Sequence, residues 1–234
     1  MCSSLKSDIP TRRILLVDDH PFMRMGLAQF LNSQPDLRVC GEAGDPREAM
    51  ALVEKARPDL VLLDLNLPGK GGLELIKDLR ALHPELPVLV LSMHDEPQYA
   101  PRVLRAGARG YIMKSEPVTR MAEGIREVFR GKMVVSDRMA SLILEIFAGS
   151  GSAEGGLPEA RLSDRELEVL ALVGSAQSTR AVAQRLNISM KTVEAHRANI
   201  KQKLGLTSSQ ELVRYAVCWV EEGDRASGKL ANVG

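Results

Sequence analysis

The stretch LVLLDLNLPGKGG, residues 60–72, decides the fold. Leu60 to Leu63 are aliphatic at every position rather than at every second one, so both faces of their strand must be covered. That is the habit of a parallel sheet flanked by helices. Asp64 follows where such a strand ends. Asn66, Pro68 and the glycines at 69, 71 and 72 supply turn chemistry, and Leu73 to Leu82 resumes with helical spacing.

The same alternation extends in both directions. Strands are predicted at Ile14 to Val17, Leu37 to Ala43, Leu60 to Leu63, Pro87 to Leu91 and Gly110 to Met113. Helices are predicted at Phe22 to Leu31, Pro46 to Lys55, Leu73 to Leu82, Pro97 to Ala106 and Pro117 to Arg130. Pro46 and Pro117 sit near helix starts, and Gly131 stands where a helix stops. Five such units imply an α/β fold with a doubly wound, five-stranded parallel sheet. Sheets of this kind place their chemistry at the carboxyl ends of the strands, and here those ends run into Asp18-Asp19, Asp64, Ser92 and Lys114.

Beyond Gly131 the pattern changes. A connecting helix is expected from Asp137 to Phe147, capped by Ser136, followed by AGSGSAEGGLPEA (148–160), where periodicity disappears. A flexible linker of that length spans roughly 20 Å. From Arg161 to Glu222 no strand is predicted. Four helices are: the first opened by a capping box, Ser163 with Glu166, the second by Ser178, the third by Ser189-Met190 and closed at Gly205, the fourth from Ser208 or Ser209 to Trp219 or Val220. The expected organisation is a domain at 12–131, a connector at 132–160, a small all-α domain at 161–222 and a tail at 223–234.

Composition narrows the function. With 44% hydrophobic and 26% charged residues the 234-residue chain is neither fibrous nor disordered, and its net charge of +1 means that any nucleic-acid signal must be local. Aromatic residues make up 3%, which argues against an aromatic-lined ligand pocket. Cys2, Cys40 and Cys218 show no metal or disulfide spacing. No run approaches the ~18 apolar residues of a membrane span, and a cytoplasmic location with reduced thiols is expected.

Asp18, Asp19 and Asp64 would converge from neighbouring strand ends, a costly arrangement unless a hard divalent cation such as Mg2+ sits among them. Lys114 would add a compact positive charge for a phosphoryl oxygen, and Ser92 a hydroxyl for another. A carboxylate nucleophile beside Mg2+ and lysine is equipped to form an aspartyl phosphate. The segments ILLVDDH, LVLLDLNLPGKGG, VLVLSMHDE and RAGARGYIMKS make residues 13 to 130 resemble the receiver domain of bacterial two-component response regulators, a flavodoxin-like fold. The resemblance implies that Asp64 accepts the phosphoryl group and that Asp19, Asp64 and the Asn66 backbone carbonyl hold Mg2+, with Asp18 acting through water. It further implies that Ser92 and Lys114 bind the phosphoryl group and that Tyr111 is the switch aromatic. Ser115 departs from the proline common after that lysine.

From Ala176 to Gly205 the basic residues Arg180, Arg185, Lys191, Arg197, Lys201 and Lys203 face one acid, Glu194, for a local charge of +5. Val193, Ile200 and Leu204 give the third helix a stripe to bury, leaving the opposite face for DNA. The segments LSDRELEVLALV, STRAVAQRLNIS and KTVEAHRANIKQKLGL resemble a LuxR-type helix-turn-helix from Leu162 to about Val217. By that resemblance the motif proper is Thr179 to Ala198. Lys191, Thr192, Glu194, Ala195 and Arg197 would face DNA, and Arg180, His196 and Lys201 would meet phosphates. His196 has the alternative of a plain surface histidine, and Glu194 either reads a cytosine amino group or repels phosphates. Two residues depart from the pattern: Ala176 replaces a glycine that often takes a left-handed turn, and Ala181 replaces a glutamate that would tether two helices. The apolar stripe of the last helix (Leu212, Val213, Ala216, Val217, Val220) serves either a dimer seam or its own domain.

Together the resemblances imply a NarL/FixJ-type response regulator. Phosphorylation of Asp64 by a sensor histidine kinase or a small phosphodonor would switch homodimerisation and binding to paired half-sites on double-stranded DNA, with RNA polymerase as a further partner and no membrane. The chain would not be an enzyme beyond its own phosphorylation and dephosphorylation. Three rivals stand beside this reading. One is a helix-turn-helix factor whose receiver works independently of phosphorylation. The second is an aspartyl-phosphate hydrolase, opposed by Asn66 where that class needs a second aspartate. The third is a small-ligand sensor, opposed by the scarcity of aromatics.

Overall fold

The computed structural model describes residues 10–68, 71–141 and 158–226. By its contacts the chain divides into two compact units. The first takes in the chain up to Met93 together with Ala100–Val135, and the second joins His94–Tyr99 to the chain from Ser136 onward.

The first unit carries β1 (Arg12–Val17), α1 (Pro21–Ser33), β2 (Leu37–Ala43), α2 (Pro46–Ala56), β3 (Leu60–Asp64), α3 (Gly71–Leu82), β4 (Val88–Ser92), α4 (Glu96–Ala106), β5 (Gly110–Met113) and α5 (Val118–Phe129), α4 beginning outside it. The five strands form one parallel sheet in the order β2-β1-β3-β4-β5. The chain winds outward in both directions from the β1/β3 pair, so the switch point lies where β1 and β3 run out.

The aliphatic run that opened the reading is buried at all five positions of β3. Ile14, Leu16, Leu62, Leu89, Leu91 and Ile112 build one core with Leu27 and Leu31 of α1 and Met121, Ile125 and Val128 of α5. The intervening residues Leu15, Val17, Val61, Leu63 and Val90 are equally buried on the other face. β2 departs from the all-apolar expectation: as an edge strand it is buried only at its ends, half-buried from Val39 to Gly41, and exposes Arg38 and Glu42, and charge on an edge discourages pairing with foreign strands.

Helix ends follow the sequence chemistry. Asp45 caps α2 through the N–H groups of Arg47 and Glu48, with Pro46 in the first turn. Pro117 is itself the cap residue of α5, just outside the helix where it was expected. Gly71 takes φ +78°, and an added Cβ on Gly72 would collide with the backbone at Asp64 and Leu65. This pair therefore lets α3 begin hard against the turn after Asp64. The expected connecting helix is present at 137–141, where Ser136 Oγ accepts from the Met139 N–H at 3.1 Å; the remainder of that helix and most of the linker lie outside the described residues.

The second unit contains a 3-10 turn (Pro158–Arg161), α6 (Asp164–Gly174), α7 (Thr179–Leu186), α8 (Met190–Leu204) and α9 (Ser209–Ala226). Ser163 and Glu166 form the expected capping box on α6, Ser178 caps α7, Ser189 caps α8, and Gly205 ends α8 at φ +69°. Ser208 Oγ accepts from the Glu211 N–H at 3.1 Å and starts α9. That helix continues to Ala226, past Val220 and into the stretch read as a tail. Leu167, Leu170, Val173, Val182, Val193, Ile200, Leu212 and Ala216 are buried. Gly174 approaches α9 so closely that a Cβ there would strike the Ala216 carbonyl.

Candidate functional site

The carboxyl ends of β1 and β3 bring Asp18, Asp19 and Asp64 together. Oxygens of these three and a ring nitrogen of His20 lie within 4.8 Å of one another. Asp18 and Asp64 are buried, at 3% and 2% exposure, and Asp19 is open to solvent. Lys114 arrives from the far side because the β4–β5 register continues past the strands: Ser92 pairs with Met113, and the Lys114 N–H donates to the Ser92 carbonyl at 2.8 Å. Its side chain is buried, and Nζ donates to Asp18 Oδ2 at 2.6 Å and to Asp64 Oδ2 at 2.7 Å.

Burial pushes the Asp64 carboxyl above its ordinary range, against the pull of the Lys114 ammonium and of the Asn66 N–H, which donates to Oδ1 at 3.1 Å. Burial acts to lower the Lys114 ammonium as well, but Asp64 and Asp18 outweigh it and hold the lysine protonated above its ordinary value. Three carboxylates against one ammonium leave negative charge uncompensated. The three carboxylates offer oxygen donors, Asp19 open to water, which suits Mg2+, an ion that keeps several of its own waters, while the His20 ring nitrogen is engaged by Asp18 and Asp19. Ser92 is fully buried on the adjoining strand end, Tyr111 is buried on β5 at 1% exposure, and Asn66 is half-buried on the turn after Asp64.

Two residues at this site escaped the sequence reading. His20 Nδ1 lies 2.6 Å from Asp19 Oδ1 and 3.2 Å from Asp18 Oδ1. Arg24, one turn into α1, hydrogen-bonds the Asp18 carbonyl through Nη1 and lies 3.8 Å from Glu42. The signal for His20 was the D-D-H tripeptide itself. Arg24 carried none, because its role depends on where α1 lies against β1.

The basic segment forms the second candidate site. Arg180, Lys191, Thr192, Glu194 and Ala195 are exposed, whereas His196, Arg197 and Lys201 are half-buried. Val193 and Ile200 are fully buried, so α8 turns one face inward as its stripe predicted, with Leu204 half-buried. Burial, with the Arg165 charge second, holds the His196 imidazole below its ordinary value, so it is neutral at neutral pH. Lys203 is committed within the domain: its Nζ lies 2.6 Å from Glu166 Oε2. Ala176 takes φ +57°, the left-handed conformation in which the departure from glycine matters. With Ala181 at the position of the missing glutamate, α7 and α8 are linked by Thr179, whose hydroxyl donates to Glu194 at 3.0 Å and accepts from Arg197 at 3.1 Å.

Residues 14–126 match the response regulator receiver domain, and residues 160–216 match the bacterial regulatory proteins of the luxR family. The oxygen regulatory protein NreC of Staphylococcus carnosus is 36% identical over 209 residues, covering 88% of this chain and 96% of its own, and NreC of Staphylococcus aureus is 37% identical over the same length. Among solved structures, the RcsB response regulator of Salmonella typhimurium superposes with a TM-score of 0.66 at 25% identity, covering 89% of this chain and 98% of its own. RcsB bound to the promoter rprA in the presence of the phosphomimetic BeF3- gives a TM-score of 0.61 at 25% identity, covering 88% and 98%. A LuxR-family two-component response regulator from Aurantimonas sp. SI85-9A1 gives 0.55 at 35% identity, covering 59% of this chain and 99% of its own. With an acidic pocket at the strand ends of a five-stranded parallel sheet, a basic helix-turn-helix after it, and this likeness along most of its length, the chain belongs to the NarL family of response regulators, built from a receiver domain and a LuxR-type DNA-binding domain.

Proposed function

We propose that Asp64 is phosphorylated, by a sensor histidine kinase or a small phosphodonor, and that this switches homodimerisation and sequence-specific binding to double-stranded DNA. The observation that carries the reading is Lys114 Nζ bridging the buried carboxylates of Asp18 and Asp64, with Asp19 beside them at the sheet's switch point. One Asp64 oxygen attacks the phosphorus of the donor, and the donor's P–N or P–O bond breaks, its electron pair leaving on the imidazole nitrogen of the kinase or the oxygen of the small donor, which departs dephosphorylated. Lys114 shifts its hydrogen bond from Asp64 Oδ2 to a phosphoryl oxygen while keeping Asp18, and the Ser92 hydroxyl donates to another. Asp19, Asp64 and the Asn66 carbonyl would hold Mg2+, with Asp18 acting through water, and the bound ion would neutralise phosphoryl charge. Positioning and charge then account for nearly all the rate.

The dianionic group biases a two-state element. Ser92 and Tyr111, on adjacent strands, carry the change to the α4–β5–α5 face, and the altered receiver favours a homodimer that pairs two recognition helices on two half-sites. Lys191, Thr192, Glu194, Ala195 and Arg197 face DNA, with Arg180, His196 and Lys201 toward phosphates, and RNA polymerase is the partner through which binding changes transcription. The work belongs in the bacterial cytoplasm, where the DNA and the kinase's phosphoryl group are both available.

Genomic fragments captured on the full-length protein, with and without BeF3- and Mg2+, test the reading. A paired motif enriched only with the mimic, and absent for Asp64→Ala, is expected. Equal enrichment in both conditions would instead establish a receiver that acts without phosphorylation.

A further inference from the structure

Thr179 opens α7, and its hydroxyl stands between two residues of the recognition helix. Oγ1 donates to Glu194 Oε1 at 3.0 Å and accepts from Arg197 Nη1 at 3.1 Å. The polarity of this relay is fixed by chemistry. A carboxylate only accepts and a guanidinium only donates, so the single hydroxyl proton goes to Glu194 and a lone pair meets Arg197. Both bonds involve an ionised partner, the stronger class of hydrogen bond.

The relay sorts the two charges. Glu194 is 59% exposed in its side chain and Arg197 only 16%, with their nearest charged atoms 3.9 Å apart. Arg197 Nε is buried without a hydrogen-bond partner, so saturating bonds elsewhere do not anchor the guanidinium. Without the hydroxyl, Glu194 and Arg197, one helical turn apart, would close directly on each other. Glu194 would then be drawn from its 3.9 Å separation onto Arg197, turned from the groove and its charge neutralised, which weakens its hold on the amino proton of a cytosine, the contact that a carboxylate makes in the major groove.

We propose that Thr179 is a specificity-determining positioning residue: its hydroxyl holds Glu194 open toward a base and keeps Arg197 from quenching it. This inference rests on the DNA-binding reading above. It gives the α7 start a role in base choice that acts through Glu194 and Arg197.

The test is selection of bound sequences from a random duplex pool by the full-length protein in BeF3- and Mg2+, with Thr179→Val, Thr179→Ser and Glu194→Gln in parallel. Thr179→Ala replaces the valine variant if its far-ultraviolet circular dichroism shows lost helix. Thr179→Ser should select the wild-type motif. Thr179→Val and Glu194→Gln should both lose about tenfold of the preference at one and the same base pair, with the salt dependence of binding unchanged. A Thr179→Val protein that keeps the wild-type preference everywhere overturns the proposal, as does a Thr179→Ser protein that loses it equally or a Glu194→Gln protein that loses none. Wild-type protein that enriches no motif overturns the DNA-binding reading as well, and the unmutated arm identifies that case.

Discussion

Lys114 is the ammonium that bridges the two buried carboxylates of the acidic pocket, Asp18 and Asp64. Replacing it by glutamine leaves Asp18 and Asp64 facing each other in a buried site, and breaking a buried pair in this way costs about 3 kcal/mol. Lys114→Gln is therefore expected to melt several degrees below the wild type in chelator, with millimolar Mg2+ recovering part of the loss as a divalent ion takes over the neutralisation. A melting curve indifferent to both would mean that the bridge at 2.6 and 2.7 Å contributes nothing. His196 supplies a pH test. Burial and the Arg165 charge lower its folded pKa, so below about pH 6.5 the unfolded chain takes up a proton that the folded side chain resists. Stability should fall as pH drops through that value, and His196→Gln should flatten this part of the profile. Glu166 is shifted down, its burial outweighed by Lys203 and Ser163; its contribution is lost only as pH falls below the ordinary carboxylate range, so the two windows separate. Asp18, Asp19, Asp64, Ser92 and Lys114 were legible in the sequence because each stands at the end of a recognisable strand. Thr179 was not, because its meaning lies in partners 15 and 18 residues away.

At the scale of elements, the turn between α6 and α7 holds the clearest local conflict. Ala176 occupies a left-handed conformation at φ +57°, where a Cβ meets the backbone and glycine is free of the penalty. Ala176→Gly should stabilise the helix-turn-helix unit by about 1 kcal/mol and raise its melting temperature by several degrees. Thermal denaturation followed by helical circular dichroism reads this directly, and an unchanged or lowered midpoint would show that the turn relaxes without the substitution. Helix starts were easily read: Ser163, Ser178 and Ser189 all cap where a hydroxyl precedes a helical pattern, whereas the Asp45 cap beside Pro46 came only from the structure. Nor was the end of α9 legible, because after Val220 the residues EEGDRA carry no apolar period, yet the helix continues to Ala226. A helix already nucleated by packing propagates into residues that carry no apolar period.

Across the whole molecule, a net charge of +1 conceals a +5 segment whose charges have different duties. Lys203 is spent on Glu166, whereas Lys191 and Arg180 stand in solvent at the helix-turn-helix. Lys191→Ala should weaken binding to all sequences and reduce the slope of log affinity against log salt by about one unit. Lys203→Ala should leave that slope alone and lower stability instead, and equal slopes for the wild type and Lys191→Ala would remove Lys191 from the phosphate contacts. The sequence by itself determined the alternation of strands and helices, the two-part organisation and the residues at the strand ends. These follow from hydrophobic period, caps and turn residues, all of which act within a few positions along the chain. Only the tertiary structure decided that Lys114 bridges Asp18 and Asp64 rather than pointing to water, that His20 and Arg24 join the pocket, that Lys203 is withdrawn from the basic face, and that Thr179 links α7 to Glu194 and Arg197. Each of these depends on distances between elements far apart in sequence, set by strand register and helix packing, and local pattern contains no record of them.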